Sequence, residues 1–227
     1  MIAMILAAGR GERLMPLTRD TPKPLIKVQG VALIEYALTA CKRAGIKEVV
    51  VNVAYLSECI KTYLGDGSEF GVQIHYSDES DGALETAGGI IKALPLLGKE
   101  PFVVINSDVI CDYDLAQLSL PQGSLAHLVL VDNPAHNLNG DFGLQGQQVS
   151  LESNNSLTFS GIGLYHPDFF QAHQHSTEKL PLYPLLKSAI EQQQLTGEYY
   201  QGQWQDIGTA ERLALANQDK SADTPDK

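Results

Sequence analysis

The sequence predicts an α/β fold with a mixed, mainly parallel sheet flanked by helices. Three observations carry this: short apolar runs that end in turn residues, amphipathic stripes of helical period, and a regular alternation of the two over the first half of the chain. With 227 residues and 44% of them hydrophobic, the chain can bury a full core without disulfide or metal staples.

Ile2–Leu6 is an uninterrupted apolar run closed by Ala7-Ala8-Gly9, as expected of a strand buried on both faces. Over 33–44, Ile34, Ala37, Leu38 and Cys41 make the apolar stripe of a helix that Gly45 stops. A valine-rich run over 48–53 is a second buried strand. Residues 56–64 form a short helix ending at Gly65, and 72–76 alternate like a strand. Residues 85–94 form another helix, and 102–106 another apolar strand leading to Asp108. The order β-α-β-α-β-α-β implies a Rossmann-like parallel sheet with right-handed crossovers and helices on both faces. Beyond Asp108 the strand-like stretches 125–131, 141–144, 147–151 and 157–165 are expected to extend the sheet with mixed or antiparallel strands and to wall a pocket. Leu182, Leu185, Leu186, Ala189 and Ile190 then give a helical stripe, followed by a short strand near Tyr199 and a last helix over 209–217. No repeat or linker interrupts this pattern. Residues 1–218 are expected to form one domain, and the polar tail 219–227 to be disordered.

Composition removes several function classes. The formal net charge is -11 with no long basic run, which argues against nucleic acid as a partner. A polyanionic ligand needs local concentrations of cations and backbone amides. The three cysteines form no CxxC pair and the six histidines no HExxH pattern, which argues against zinc and fits a reducing cytoplasm. The apolar N-terminal run is too short for a signal peptide, and no stretch approaches a membrane span. A cytoplasmic protein with no membrane partner is expected.

Chemistry concentrates first in Leu6-Ala7-Ala8-Gly9-Arg10-Gly11-Glu12-Arg13, continuing to Pro16-Leu17-Thr18 and Pro22-Lys23-Pro24-Leu25. A glycine turn leaving a buried strand lets backbone N–H groups approach phosphate oxygens. Arg13 and Lys23 are cations in the same loop, able to grip the β/γ- and α-phosphates respectively, and Pro22 and Pro24 hold the lysine's backbone extended. The lysine stands too far from the last glycine for a P-loop, and the third glycine of GxGxxG is missing. Taken singly, Gly9 and Gly11 also suit an ordinary βα turn, and Lys23 a solvated loop. As a set they point to a triphosphate.

The pattern Leu-x-x-Gly-x-Gly-x-Arg, Pro-Leu-Thr, Pro-Lys-Pro-Leu resembles the signature of the sugar-1-phosphate nucleotidyltransferases, and the likeness runs to about Thr209. Within that family the chain is most similar to the N-acetylmuramate-1-phosphate uridylyltransferases. The stretches that carry this are 84–90, Gly140-Asp141-Phe142, Phe159-Ser160-Gly161-Ile162 and Trp204-Gln205-Asp206-Ile207-Gly208-Thr209. The resemblance implies a nucleotidyltransferase or glycosyltransferase-A-like fold, with strands added around a sugar pocket. It also implies transfer of a nucleoside monophosphate from a triphosphate, UTP above all, to a sugar 1-phosphate such as N-acetylmuramate 1-phosphate, with release of pyrophosphate in peptidoglycan recycling. Lys23 would touch the transferred phosphoryl group.

The remaining site residues follow from this likeness. Asp108, just past the carboxyl end of a buried strand, would be a Mg²⁺ ligand; standing alone, it also suits a turn or cap. Asp206 is the natural second carboxylate, with helix capping as its competing role. The family reads its base through backbone groups around positions matching Gly82 and Gly88. Glu85 stands where relatives acting on deoxysugars carry glutamine, and is equally suited to the first turn of a helix. Leu6, Ala7, Ala8, Gly9 and Gly11 would line the nucleotide. Asn106, Gly140, Asp141, Thr158 and Ser160, at the ends of the later strands, would line the sugar or simply face solvent. Rival readings are a mannose or heptose guanylyltransferase, a silent nucleotide-sugar-binding regulator and, more weakly, a dinucleotide oxidoreductase.

Overall fold

Four strands form the parallel half of a nine-stranded sheet: β1 (Ile2–Leu6), β4 (Glu48–Val53), β5 (Gln73–Asp78) and β6 (Phe102–Asn106). The computed structural model describes residues 1–151 and 156–218, so the expectation for the tail 219–227 lies outside the described residues. Two short hairpin strands, β2 (Lys27–Val28) and β3 (Val31–Ala32), lead into α1 (Leu33–Arg43). The helix α2 (Ser57–Leu64) connects β4 to β5, and α3 (Glu85–Leu97) connects β5 to β6. A small strand β7 (Val109–Cys111) follows at once. The second half contains β8 (Ala126–Val131), β9 (Phe142–Gln145), β10 (Gln148–Ser150), β11 (Ser156–Tyr165), α4 (Tyr183–Glu191), β12 (Leu195–Tyr199), β13 (Trp204–Asp206) and α5 (Ala210–Gln218).

The order across the sheet is β5-β4-β1-β6-β11-β8-β12-β10-β9. The β1–β4, β1–β6 and β4–β5 pairs are parallel; β11 joins β6 antiparallel and turns the sheet mixed, with one further parallel pair, β8–β12. Alternation along β1 sends Ala3 and Ile5 to one face, with Ile34, Leu38 and Cys41 of α1 and Ile60 and Leu64 of α2. Met4 faces the other side, where Ala87, Ile90 and Ile91 of α3 and Leu185 and Leu186 of α4 cover the sheet. Helices therefore lie on both faces, as the alternating order implied. Among the described residues, no helix is long and apolar enough to cross a membrane.

Two differences from the sequence reading have physical causes. Helix α3 runs a turn past the expected end at residue 94, through Pro95, because Leu97 is buried against the same core. The β7–β13 ribbon was not expected at all: two three-residue strands are too short to show a period. Its antiparallel register sets Asp206 opposite Val109 and Gln205 opposite Ile110.

Candidate active site

The sheet's carboxyl edge carries a cavity of about 270 Å³, lined by Leu6, Ala7, Ala8, Gly9, Lys23, Asn52, Glu79, Glu85, Asn106 and Asp108, among others. This is where parallel α/β sheets gather ligands, because strand ends and loop amides converge there. Gly9 opens directly onto it, with nothing within 4 Å of where a Cβ would stand. Gly11 has a different task. Its φ is 65°, and a Cβ there would meet the Lys23 Cβ at 2.9 Å, so the glycine lets the loop fold down onto the lysine's stem. The buried Thr18 secures this fold by donating its hydroxyl to the Gly11 carbonyl at 2.9 Å. Lys23 reaches the cavity and is ion-paired with Asp108.

Asp206 is carried to the same end by the ribbon. The Ile207 N–H donates to the Asp108 carbonyl at 2.8 Å, so the two aspartates stand diagonally across β7–β13. Asp206 does not cap α5: Thr209 does, accepting the Arg212 N–H at 3.3 Å. The Asp206 carboxylate takes the Arg212 Nη1 on both oxygens, at 2.6 and 2.5 Å, and has His136 Nε2 at 3.2 Å. Arg13 is exposed, outside the cavity, yet its Nη2 lies 3.3 Å from where a Gly208 Cβ would stand. The triphosphate loop and the second aspartate's segment therefore meet.

The other expected residues divide. Glu85 lines the cavity in a left-handed backbone conformation, φ 61°, at the start of α3. Gly82 is exposed beside it, and the Gly88 N–H is spent on the Leu180 carbonyl at 3.1 Å. Asn106 lines the cavity. Asp141 instead accepts from Asn137 and from the Phe159 N–H, Thr158 bonds Asn133 and Asn137, and the Ser160 Oγ accepts the Ile162 N–H. Gly140 packs against Asn133 and Ser156. Gly140, Asp141 and Thr158 thus brace the 133–137 loop, while Ser160 is used inside its own strand.

Sequence reasoning missed Asn52 and Glu79, both almost fully buried. The Asn52 Oδ1 accepts the Ala7 N–H at 2.8 Å, its Nδ2 donates to Glu79 at 2.7 Å, and Glu79 accepts the Leu84 N–H at 3.0 Å. The pair ties the phosphate-type loop to the loop before α3, and the Ala7 amide is thereby used inside the protein. An asparagine inside the valine run of β4 was the available signal, since buried polar groups must have partners. Asn52→Leu is expected to cost about 2–3 kcal/mol, as a buried carboxylate and an amide lose their partner. The melting temperature should fall by roughly 5–10 °C; an unchanged melting curve would show that the network contributes nothing to stability.

Burial pushes the thiols of Cys41 and Cys111 up to about 12, so neither is a thiolate at neutral pH.

Comparison with known proteins agrees with this geometry. The family profile described as Nucleotidyl transferase matches residues 2–148. The chain is 48% identical over 225 residues to the N-acetylmuramate alpha-1-phosphate uridylyltransferase of Neisseria meningitidis serogroup B, covering 95% of this chain and 96% of that one. It is 32% identical over 228 residues to the mannose-1-phosphate guanylyltransferase catalytic subunit beta of Danio rerio, spanning 92% of this chain and 61% of that longer one. A Bacillus anthracis structure described as a glucose-1-phosphate thymidylyltransferase superposes with a TM-score of 0.88 over 100% of this chain and 98% of that one, at 24% identity, a likeness of fold. The profile takes in the glycine loop, Lys23 and Asp108, and the Neisseria relative matches almost from end to end: the chain belongs to the nucleotidyl transferase family of enzymes.

Proposed function

We propose that the protein transfers the uridylyl group of UTP to N-acetylmuramate 1-phosphate, releasing pyrophosphate, with Mg²⁺ at Asp108 and Asp206. The observation that carries the reading is the convergence of Lys23, Asp108 and Asp206 at the mouth of the loop that starts at Ala7. The near full-length likeness to the Neisseria uridylyltransferase supports the choice of substrates. The donor set suits the ion: Mg²⁺ favours hard oxygens and commonly takes one or two carboxylates together with phosphates and waters. Asp108 and Asp206 would hold the ion from the protein side, and substrate phosphates and waters would supply its remaining oxygens. When bound, the ion neutralises phosphate charge and orients the reacting groups.

The chain's own groups do the rest. The Gly9 region and Arg13 hold the triphosphate, while Lys23 exchanges its carboxylate partner for an oxygen of the α-phosphate. The sugar phosphate oxygen attacks the α-phosphorus and pyrophosphate departs. The attacking phosphate is already ionised at neutral pH, so it needs no general base, and no cysteine is among the described residues lining the cavity, so no protein nucleophile is called for. Catalysis is positioning plus electrostatic stabilisation. An acceptor drawn from cell-wall recycling and a UTP donor make the cytoplasm the place of action.

The test is a matrix of nucleoside triphosphates against sugar 1-phosphates, scored for pyrophosphate. UTP with N-acetylmuramate 1-phosphate should give the highest kcat/KM, and purine triphosphates should fall roughly a hundredfold lower. If GTP with mannose 1-phosphate wins instead, the guanylyltransferase reading replaces this one, and Glu85, in the cavity, becomes the acceptor for the guanine amino group.

A further inference from the structure

A second cavity, of about 350 Å³, lies on the Asp206 side of the ribbon. The first cavity includes Asp108 and the second Asp206, so the two flank the diagonal carboxylate pair. A ligand in the second cavity has the Asp206 carboxylate beside it, with Asp108 diagonally across the ribbon. Resting on the proposed function, we infer that this cavity receives an acidic substituent of the acceptor sugar, held by Arg212 with His136 beside it.

Arg212 carries the argument. Its Nη1 is crowded, with both Asp206 oxygens and the His136 ring around one nitrogen. Its Nε is buried and has no partner. An arginine in a finished structural ion pair would spend that donor, because an unmade buried hydrogen bond is costly. The guanidinium lines the cavity, and a carboxylate that draws it off Asp206 gives the Nε the partner it lacks, in the fork geometry the two groups share. Gly208 makes room for the guanidinium: a Cβ there would stand 2.1 Å from the Arg212 Nη2, so any larger residue would displace it.

The other walls suit a short aliphatic acid. Trp204, Pro134 and Leu215 supply apolar surface, and Trp204 is fixed by donating its indole N–H to the Ser160 carbonyl at 2.9 Å. Asp132 also lines the cavity, but its carboxylate accepts the Tyr199 hydroxyl at 2.6 Å. The lactyl ether of a muramyl sugar is an acid of this kind. Glucosamine, glucose and mannose 1-phosphates lack it. Gly140, Asp141 and Thr158 then act at one remove, by shaping the 133–137 loop that supplies Asn133, Pro134 and His136 to the wall, and Ser160 by holding Trp204.

The experiment compares N-acetylmuramate 1-phosphate with N-acetylglucosamine 1-phosphate, which differ only in the lactyl ether. Both kcat/KM with UTP and calorimetric affinity of each sugar phosphate alone are measured, in wild type, Arg212→Gln and Leu215→Glu. The wild type should prefer the acidic sugar by both measures, and each variant should shrink that preference roughly tenfold or more, chiefly through KM. Leu215 is an exposed position of α5 whose side chain makes no hydrogen bond to Asp206 or Arg212, so Leu215→Glu adds a repelling charge to the cavity wall and leaves the Arg212–Asp206 pair its own atoms. A preference that survives in both variants overturns the inference, since Arg212 would then act only through Asp206. Equal affinities in the wild type overturn it too. Tighter binding of the acidic sugar without any uridylyl transfer would sink the proposed function while supporting the acid-binding cavity.

Discussion

Asp108→Asn and Asp206→Asn should each lower kcat roughly a hundredfold or more at saturating Mg²⁺, with the fold intact. Each substitution keeps the side chain's shape and removes the charge that a hard cation needs. The fold should survive because the ribbon is held by backbone pairing, including the Ile207 N–H to the Asp108 carbonyl, which neither change touches. Asparagine keeps an Oδ1 that can still accept from Lys23 or Arg212, so neither cation is left without an acceptor when the charge is removed. Steady-state turnover across a Mg²⁺ titration, with circular dichroism as the control for folding, decides the matter. Near-normal turnover by either variant would remove that residue from the metal site.

The second large effect is expected at Lys23. Lys23→Ala should depress kcat by roughly two to three orders of magnitude and raise the KM for UTP far less. A cation at the α-phosphate acts most on charge that develops in the transition state. The structure sharpens this expectation, because the side chain is not a free surface lysine. Its Cβ lies under Gly11, its backbone opens a short 3₁₀ turn (Lys23–Leu25) rather than the expected extended stretch, and its ammonium is already at Asp108 inside the cavity. Little conformational freedom is left to lose on binding, so the group works as a fixed charge. Lys23→Arg should not restore activity, since a planar guanidinium spreads its charge over a fork and cannot put it at the single point where the ammonium meets Asp108. A rise in KM alone would make Lys23 a uniform binding contact and end the catalytic assignment.

Much of the parallel half was legible in the chain itself. Strands β1, β4 and β6 announce themselves because both faces are buried and the apolar run is unbroken, and α1 because its stripe ends at a glycine. The glycine loop and Pro-Lys-Pro element were legible because phosphate binding demands rare residue combinations. What escaped had no period to show. The three-residue strands that bring Asp206 to Asp108 are shorter than one repeat of any pattern, and the pair Asn52–Glu79 is polar where the pattern calls for apolar. Thr158 and Ser160, expected to line the sugar or to face solvent, are both buried. Alternation gives a face, though, and not a partner; here the partners are Asn133, Asn137 and the backbone of a bulge between Phe159 and Gly163.

The β7–β13 ribbon also bears on how the molecule comes together in time. Its strands are far apart in the chain, so the entropy of closing a long loop is lost before any of its pairs form. The β1–β6 pair at the centre of the parallel half closes a stretch of chain of comparable length. Catalytic competence therefore waits on long-range pairing in the sheet and the ribbon together, rather than on the local helices. Trp204, the chain's sole tryptophan, lies on β13 with its indole N–H on the Ser160 carbonyl. Its fluorescence therefore reports the closing of the two aspartates directly, and the molecule carries its own optical clock for the moment at which a folded sheet becomes an enzyme.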